Sequence, residues 1–237
     1  MKSIKRKAAC ILALAMLLCL VGCKGKTKTS RPDMDALKAA EVGSYIFFGE
    51  YEQDNDEATG KEAIEWLVLD KQEDKILVIS RYGLDSKPYN TELDDVTWET
   101  CSLRNWLNGT FFEAAFIPEE KAVILNSSVT AEANPKYDTS AGNDTTDKVF
   151  LLSFNEVDRY FADDAHRVCQ GTPFSLFDLP EVEKDENDLC NWWLRSPGYC
   201  SSYGSGVTRA GVVAYWGGTV DLDILTVRPA MWIRIEA

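Results

Sequence analysis

Two segments near the C-terminus decide the fold: WWLRSPG at residues 192–198 and VRPAMWI at residues 227–233. Each reads as an apolar strand that carries one arginine. Between them lies a stretch of different composition, with five glycines among serine, tyrosine and tryptophan residues. Loops of small and aromatic residues held between two rigid strands are typical of a recognition surface. This part of the chain therefore indicates binding rather than catalysis.

The order of the predicted elements gives the fold class. Apolar runs at residues 45–49, 64–69 and 76–80 predict strands, and the second and third form a hairpin. A buried strand is predicted at residues 149–152, and residues 192–235 read as strand and turn. Helices fall between these groups of strands. We therefore predict an α+β domain with mixed or antiparallel sheets, two or three short helices and long loops.

The predicted helices come from apolar spacing and from capping residues. Leu103, Trp106 and Leu107 lie at helical spacing and share one face, and we expect residues 108–109, Asn-Gly, to end that helix. A second helix begins at residues 153–156, where Ser and Glu form a capping-box pair.

The N-terminus resembles the signal segment of a bacterial lipoprotein. Residues 1–7 are basic, and residues 8–21 are apolar over a length too short to span a bilayer comfortably. The run ends in LVGC, which resembles a lipobox with Cys23 as the lipidated residue. We predict a signal peptide at residues 1–22 and an extracytoplasmic protein anchored in the cell membrane through lipid on Cys23. An ordinary signal peptide with an incidental cysteine is the alternative.

The remaining chain divides into a tether and a domain. Residues 23–40 are basic and rich in glycine, serine and threonine, which predicts a flexible tether. Residues 41–237 show no second linker and no repeat, so we predict a single domain there.

Charge argues against nucleic acid as a partner. The full chain has 25 basic and 38 acidic residues, a net charge of −13. Loss of residues 1–22 removes four basic residues, so the mature charge is 21 − 38 = −17. Binding to nucleic acid needs a basic face, which this composition does not favour.

Four cysteines remain after the predicted lipidation site: Cys101, Cys169, Cys190 and Cys200. In an exported chain they could form two disulfides in three connectivities, or they could be buried free thiols. The chain has no CxxC motif, and we predict no metal and no cofactor.

The chain is also identified as similar to a family of surface and secreted domains of Gram-positive bacteria that is known only as a domain of unknown function. The resemblance covers most of residues 43–235. It rests on five segments: GLDSKPYN at 83–90, SLRNWLN at 102–108, VFLLS at 149–153, WWLRSPG at 192–198 and VRPAMWI at 227–233.

More distantly, the C-terminal part resembles the C-type-lectin-like fold, including its formylglycine-generating (sulfatase-modifying) branch. There, loops between a glycine- and aromatic-rich segment and a Val-Arg-Pro-like strand form the ligand face. The resemblance implies ten ligand-binding residues: Tyr199, Ser201, Ser202, Tyr203, Thr208, Arg209, Tyr215, Trp216, Asp221 and Asp223. An acidic insert at residues 174–189 departs from the pattern and puts the neighbouring surface in doubt.

Several conspicuous residues have a structural interpretation. Trp192 and Trp193 point to opposite faces of a strand, and we expect both in the core. Arg195 and Arg228 are expected to organise buried polar groups rather than to touch a ligand. His166 is the only histidine and is expected at the surface, since no nucleophile motif accompanies it.

The sequence therefore favours a membrane-anchored binding module for a glycan, peptide or protein. One alternative is a thiol oxidase related to the formylglycine-generating branch, which needs Cys190 and Cys200 within reach of each other; the arginine-glycine-glycine-serine-tryptophan signature of that branch is absent. A non-catalytic structural envelope lipoprotein is the other alternative.

Overall fold

The computed structural model describes residues 32–236, which form eleven strands and seven short α-helices. The strands, in chain order, are β1 (Tyr45–Tyr51), β2 (Glu62–Lys71), β3 (Lys75–Ser80), β4 (Asp85–Ser86), β5 (Ser127–Val129), β6 (Thr145–Asp147), β7 (Trp192–Pro197), β8 (Tyr203–Val207), β9 (Val213–Thr219), β10 (Thr226–Val227) and β11 (Ala230–Arg234). The helices are α1 (Met34–Ala39), α2 (Ser102–Trp106), α3 (Phe112–Ala115), α4 (Pro118–Lys121), α5 (Phe154–Tyr160), α6 (Asp164–Arg167) and α7 (Pro173–Leu176). The sheets are mostly antiparallel, so the prediction of an α+β class is confirmed, but the described residues form seven short α-helices instead of the two or three predicted.

The first sheet joins the two ends of the domain. Its four antiparallel strands lie in the order β1-β2-β3-β11. Leu67 of β2 lies opposite Ile79 of β3, and Val78 of β3 lies opposite Met231 of β11. The side chains of β3 from Ile76 to Ser80 are all buried, so both faces of the sheet are covered along this central strand. The hairpin predicted from the apolar runs is therefore present, and the C-terminal segment completes its sheet.

The second sheet is built around β7, the strand of the WWLRSPG segment. The strand order is β4-β10-β7-β8-β9, and β10 pairs with β7 in parallel. Trp192 and Trp193 are both fully buried, and their indole N–H groups donate to the carbonyl oxygens of Arg167 at 3.1 Å and Lys87 at 2.9 Å. Adjacent side chains of a strand point to opposite faces, so β7 is covered on both sides. The prediction that both tryptophans belong to the core is confirmed.

The helix that follows Trp98 continues where we predicted its end. Residues 108–109 lie in a π-helical turn, Leu107–Phe111, which connects α2 to α3. The side-chain amide of Asn108 donates to the carbonyl oxygens of Arg104 at 3.1 Å and Val149 at 2.8 Å. Asn108 thus ties the helix to a neighbouring segment instead of ending it, and the buried ring of Phe111 holds the next turn in the core.

Regular structure also occurs in the glycine-rich stretch after β7, where loops were predicted, because it contains β8. Residues 162–188, which carry most of the acidic insert, contain α6 and α7. Glycine is rare inside strands, so the glycines of β8 do not predict a strand. They are needed because the space is filled by neighbours: a Cβ on Gly204 would press on the ring of Trp193, and a Cβ on Gly206 would press on the carbonyl oxygen of Trp192. Residues 149–152 are buried as predicted, but they join the first sheet through a single bridge.

The predicted tether, residues 23–40, is partly folded. Met34–Ala39 forms α1, whose first turn is capped by the carboxylate of Asp33, which accepts from the Ala36 N–H at 3.0 Å. Leu37 of this helix lies in the core at 2 % exposure. The folded part therefore begins before residue 41. The predicted signal peptide, Cys23 and the rest of the tether lie outside the described residues, and within residues 32–236 no helix is long and apolar enough to cross a membrane.

Candidate functional site

Four aromatic side chains from three separate segments meet at one surface of the domain. Tyr199 lies in the turn after β7, Tyr203 begins β8, Trp216 lies on β9 and Tyr137 comes from the distant loop at residues 131–144. Tyr199 and Trp216 are stacked, with ring centroids 3.9 Å apart and an interplanar angle of 17°. Tyr137 contacts Trp216 edge-on at 5.7 Å, and Tyr203 contacts Tyr199 at 4.5 Å. We call these four residues the aromatic face.

The aromatic face is open to solvent. Trp216 is 54 % exposed and Tyr137 is 43 % exposed, whereas Trp192 and Trp193 of the same sheet are fully buried. Scattered apolar side chains on a surface need no explanation, but a contiguous group of aromatic rings is typical of an interaction site. Tryptophan and tyrosine are also the residues that dominate binding energy in interfaces.

The backbone of β9 turns Trp216 outward. Its neighbour Tyr215 points to the other side, where its ring stacks on Phe154 at 4.7 Å with the Lys136 ammonium 3.9 Å above it. The pairing of β8 with β9 is irregular beside this point, and Gly217 has φ +78°. A Cβ there would overlap the carbonyl oxygen of Gly204, so only glycine fits. Tyr215, predicted as a ligand residue, therefore packs on the scaffold rather than on the aromatic face.

A buried asparagine brings Tyr137 to the aromatic face. Asn134 is 1 % exposed, and its side-chain amide donates to the carbonyl oxygens of Pro197 at 2.9 Å, Gly198 at 3.1 Å and Tyr215 at 2.8 Å. Its own side-chain oxygen accepts from the N–H of Lys136 at 2.9 Å. This one side chain thus fastens the loop that carries Tyr137 to the ends of β7 and to β9.

We predict that Asn134→Ala destabilises the domain by about 1–3 kcal/mol, because it leaves buried carbonyl groups without a donor. The exposed Asn143, whose amide makes a single bond to Glu99, provides the control variant Asn143→Ala with little expected loss. Urea unfolding measures both variants. Hydrogen exchange of residues 134–139 should also become faster in Asn134→Ala alone, and unchanged exchange there would contradict the role of Asn134 as a clamp.

Hydrogen bonds make Tyr199 a weaker acid than an ordinary tyrosine, which is itself uncharged at physiological pH. Hydrogen bonds with Cys200 and then with Tyr203 raise the pKa of Tyr199 to about 12. Its hydroxyl is therefore protonated at physiological pH. The exposed rings of Tyr137 and Trp216 present a neutral surface, and the Lys136 ammonium lies over the ring of Tyr215 on the other side of β9.

Arg195 of β7 organises a buried polar network beneath the second sheet's neighbouring segments. It is 5 % exposed, donates to the carbonyl oxygen of Leu151 at 2.8 Å and forms an ion pair with Glu156. Its own carbonyl oxygen accepts from the buried Tyr89 hydroxyl at 2.7 Å. Glu156 also accepts from the Ser153 N–H at 2.8 Å and so completes the predicted capping box of α5. The predicted structural role of Arg195 matches this network.

The other predicted ligand residues are divided between two ends of the β8–β9 hairpin. Four of them accompany Tyr203 at the near end: Ser201 and Ser202 in the turn before β8, and Asp221 and Asp223 after β9. Thr208 and Arg209 lie in the turn at the far end, which five strand residues place about 16 Å away. Arg209 pairs there with Glu183 at 3.6 Å. The ten residues therefore do not form one site.

Sequence reasoning missed Tyr137 and Asn134. Both lie in a polar loop whose neighbours in space are more than 60 residues away along the chain. The available signal was local: a tyrosine two residues after Asn-Pro, in an otherwise polar segment, has no apolar partner nearby in sequence and is a candidate for an exposed aromatic.

A polar cavity of about 360 Å³ lies elsewhere on the domain. It is lined by Gln53, Asp54, Tyr82, Gln170, Gly171, Thr172, Pro173 and Asp188. Beside it, carboxylate oxygens of Glu52, Asp54 and Glu62 lie within 4.8 Å of one another. They already accept hydrogen bonds from the loop, as Glu62 does from the Gln53 N–H at 2.7 Å. These acids are therefore accounted for by the structure of their own loop.

Two further groups considered as catalytic lie outside the aromatic face. His166 has a 64 % exposed side chain and pairs with Asp163 at 2.7 Å, which agrees with the surface position predicted for it. Cys190 and Cys200 lie at opposite ends of β7, whose six extended residues separate them by about 20 Å. The neighbour of Cys190 is Cys169, whose carbonyl oxygen accepts from the Cys190 N–H at 3.0 Å.

The chain belongs to the family described as a domain of unknown function, DUF6273, whose model matches residues 73–235. The match contains the whole second sheet and the aromatic face. It leaves out β1 and β2 entirely, although these strands complete the first sheet beside β3. No curated protein and no solved structure matches the chain.

Proposed function

We propose that this protein is a membrane-anchored, extracytoplasmic binding module that binds a glycan through the aromatic face. The observation that carries the proposal is the exposed ring of Trp216, which stacks on the half-buried Tyr199 and has the exposed Tyr137 placed against it by a buried clamp. A fold that needs these rings only for packing would bury them, as it buries Trp192 and Trp193.

The chemistry of the surface suits a sugar. The C–H faces of a sugar ring are flat and apolar and stack on tryptophan and tyrosine, whereas its hydroxyl groups need acceptors. The exposed carboxylates of Asp221 and Asp223 lie at the same end of the hairpin as Tyr203 and can accept from such hydroxyls. A peptide or protein ligand would use the same rings, and the test below separates these ligands.

The proposal extends to the fold and to the anchor. The arrangement of strands around β7, with turns that display aromatic residues, supports the C-type-lectin-like assignment. The LVGC segment at residues 20–23 supports lipidation at Cys23, which would hold the aromatic face close to the outer surface of the membrane.

The two alternative functions receive less support. A thiol oxidase of the formylglycine-generating type requires Cys190 and Cys200 to meet, and β7 separates them. A purely structural role in the envelope would not require Tyr137 and Trp216 to be held together at an exposed surface by Asn134.

Binding of the full chain to arrays of glycans, peptides and cell-surface proteins tests the proposal. We expect the wild type to bind to certain glycan spots and the Trp216→Ala variant not to bind to them. Phe177→Ala is the matched control, because Phe177 is another exposed aromatic, at 63 %, and lies outside the aromatic face. If the wild type binds only to peptide or protein spots, the ligand is a peptide or protein and not a glycan. Equal binding by Trp216→Ala on every array would remove the aromatic face from the function.

A further inference from the structure

Cys169 and Cys190 face each other across a short antiparallel bridge. Gln170 pairs with Leu189, which places the two cysteines directly opposite, and the Cys190 N–H donates to the Cys169 carbonyl oxygen at 3.0 Å. Opposite residues of an antiparallel pair have Cα atoms about 4.5–5.5 Å apart. A disulfide requires about 4.4–6.8 Å. The backbone therefore already has the separation that a bond between these sulfurs needs.

The surroundings of the two thiols favour a thiolate at Cys169. A hydrogen bond from the Cys190 thiol and the nearby guanidinium of Arg228 lower the pKa of Cys169, and the same hydrogen bond, with burial, raises that of Cys190. Arg228 is 4 % exposed, and its Nη1 has no hydrogen-bond partner among residues 32–236. A buried cation without a full set of partners stabilises an anion beside it.

We propose that Cys169 and Cys190 are joined by a disulfide in the mature protein. Neither Cys101 nor Cys200 offers an equivalent partner. Cys101 is fully buried with its thiol on the Trp98 carbonyl oxygen, and Cys200 lies beyond the far end of β7 with its thiol near the Ser202 hydroxyl. The assignment selects one pairing from the connectivities that composition allows and goes beyond the proposed function of the aromatic face.

The bond forms by thiol–disulfide exchange with a disulfide oxidant, of which oxidised glutathione is the probe. The Cys169 thiolate attacks one sulfur of the oxidant and releases the first thiolate, which leaves a mixed disulfide. Cys190 loses its proton and attacks the Cys169 sulfur, which releases the second thiolate. The protein gives up two electrons and two protons, and the oxidant becomes two thiols.

The disulfide would close a loop that shapes the polar cavity. Residues 170–189 lie between the two cysteines and include the acidic insert. Five of the eight cavity-lining residues belong to this loop: Gln170, Gly171, Thr172, Pro173 and Asp188. Oxidation therefore fixes one wall of the cavity and holds the insert against the second sheet.

Peptide mapping of the full chain tests the pairing. The protein is refolded in glutathione buffers of graded redox potential, quenched with acid, unfolded with an alkylating reagent and digested with trypsin. Cleavage after Lys184 places Cys169 in the peptide of residues 168–184 and Cys190 in that of residues 185–195. We expect these two peptides to be linked in oxidising buffer, with Cys101 and Cys200 alkylated. Alkylation of both Cys169 and Cys190 in the most oxidising buffer, or a link from either to Cys101 or Cys200, would overturn the proposal.

Thermal unfolding gives a second readout that does not depend on peptide recovery. Reduction of the oxidised wild type should lower Tm by about 6–12 °C, as expected for loss of a bridge across a loop of this length in a domain of this size. The double variant Cys169→Ala/Cys190→Ala should show no response to reductant, whereas Cys200→Ala should respond like the wild type. A wild-type Tm that does not change on reduction would also contradict the proposed disulfide.

Discussion

Glu156→Gln is expected to destabilise the domain by about 3–5 kcal/mol, because it leaves the guanidinium of Arg195 buried without a counter-charge. Arg195 is 5 % exposed and its ion pair with Glu156 is accompanied by hydrogen bonds to backbone carbonyl oxygens. The substitution keeps the size of the side chain and an oxygen that can still accept from the Ser153 N–H. The loss would therefore report the charge rather than the cap of α5.

The matched control for this prediction is Glu183→Gln. Glu183 pairs with Arg209 at 3.6 Å, and the Arg209 side chain is 37 % exposed, so water replaces the interaction. We expect a change below about 1 kcal/mol. Urea unfolding of both variants at one pH gives the comparison. Equal losses would contradict the view that the buried charge of Arg195 depends on Glu156.

Gly217→Ala is expected to cost about 2–5 kcal/mol, since the strain of a positive φ adds to a steric overlap. Gly217 has φ +78°, and a Cβ there would meet the carbonyl oxygen of Gly204 across the β8–β9 pairing. β9 would have to move away from β8, and Trp216 would move with it. We therefore expect both reduced stability and altered fluorescence of Trp216.

Gly43 separates the two contributions. It has a similar φ of +86°, but a Cβ there meets nothing within 4 Å. Gly43→Ala should therefore show only the conformational cost, about 1–2 kcal/mol. Urea unfolding measures the loss of stability in both variants. Equal losses would contradict the close approach of β8 to β9 beside Trp216.

The parts of the fold that were predictable carry their signal in local sequence. The hairpin of β2 and β3 follows from two apolar runs, the cap of α5 from Ser153 and Glu156, and the buried β7 from its paired tryptophans. In each case the residues that determine the element lie within it, so periodicity and capping chemistry suffice.

The candidate site was predictable only in part because its assembly depends on contacts between distant segments. Trp216, Tyr199 and Tyr203 are among the ten ligand residues that the C-type-lectin-like resemblance implies. The side-chain amide of Asn134 donates to carbonyl groups 63, 64 and 81 residues away, and its local sequence does not predict these partners. Contacts between distant segments also explain why β8 is not predictable from local sequence. Its glycines are required by neighbouring side chains and backbone, and glycine has a low strand propensity.

The pairing of the cysteines shows the same division. Composition indicates four candidate cysteines and leaves their pairing open. The structure brings Cys190 to Cys169 through one backbone bridge between residues that lie far apart in sequence. Sequence separation around an extended strand is a poor guide, since β7 carries its two ends about 20 Å apart.

Calorimetric titration of a glycan identified on the arrays tests the central claim most directly. The wild type and Phe177→Ala should bind with equal affinity, whereas Trp216→Ala and Tyr137→Ala should each bind at least about tenfold more weakly, because a central aromatic contributes about 1.4 kcal/mol or more. Their unchanged urea midpoints would show that the fold is intact. Wild-type affinity in Trp216→Ala would contradict the account, because the aromatic face would then not be where the ligand binds.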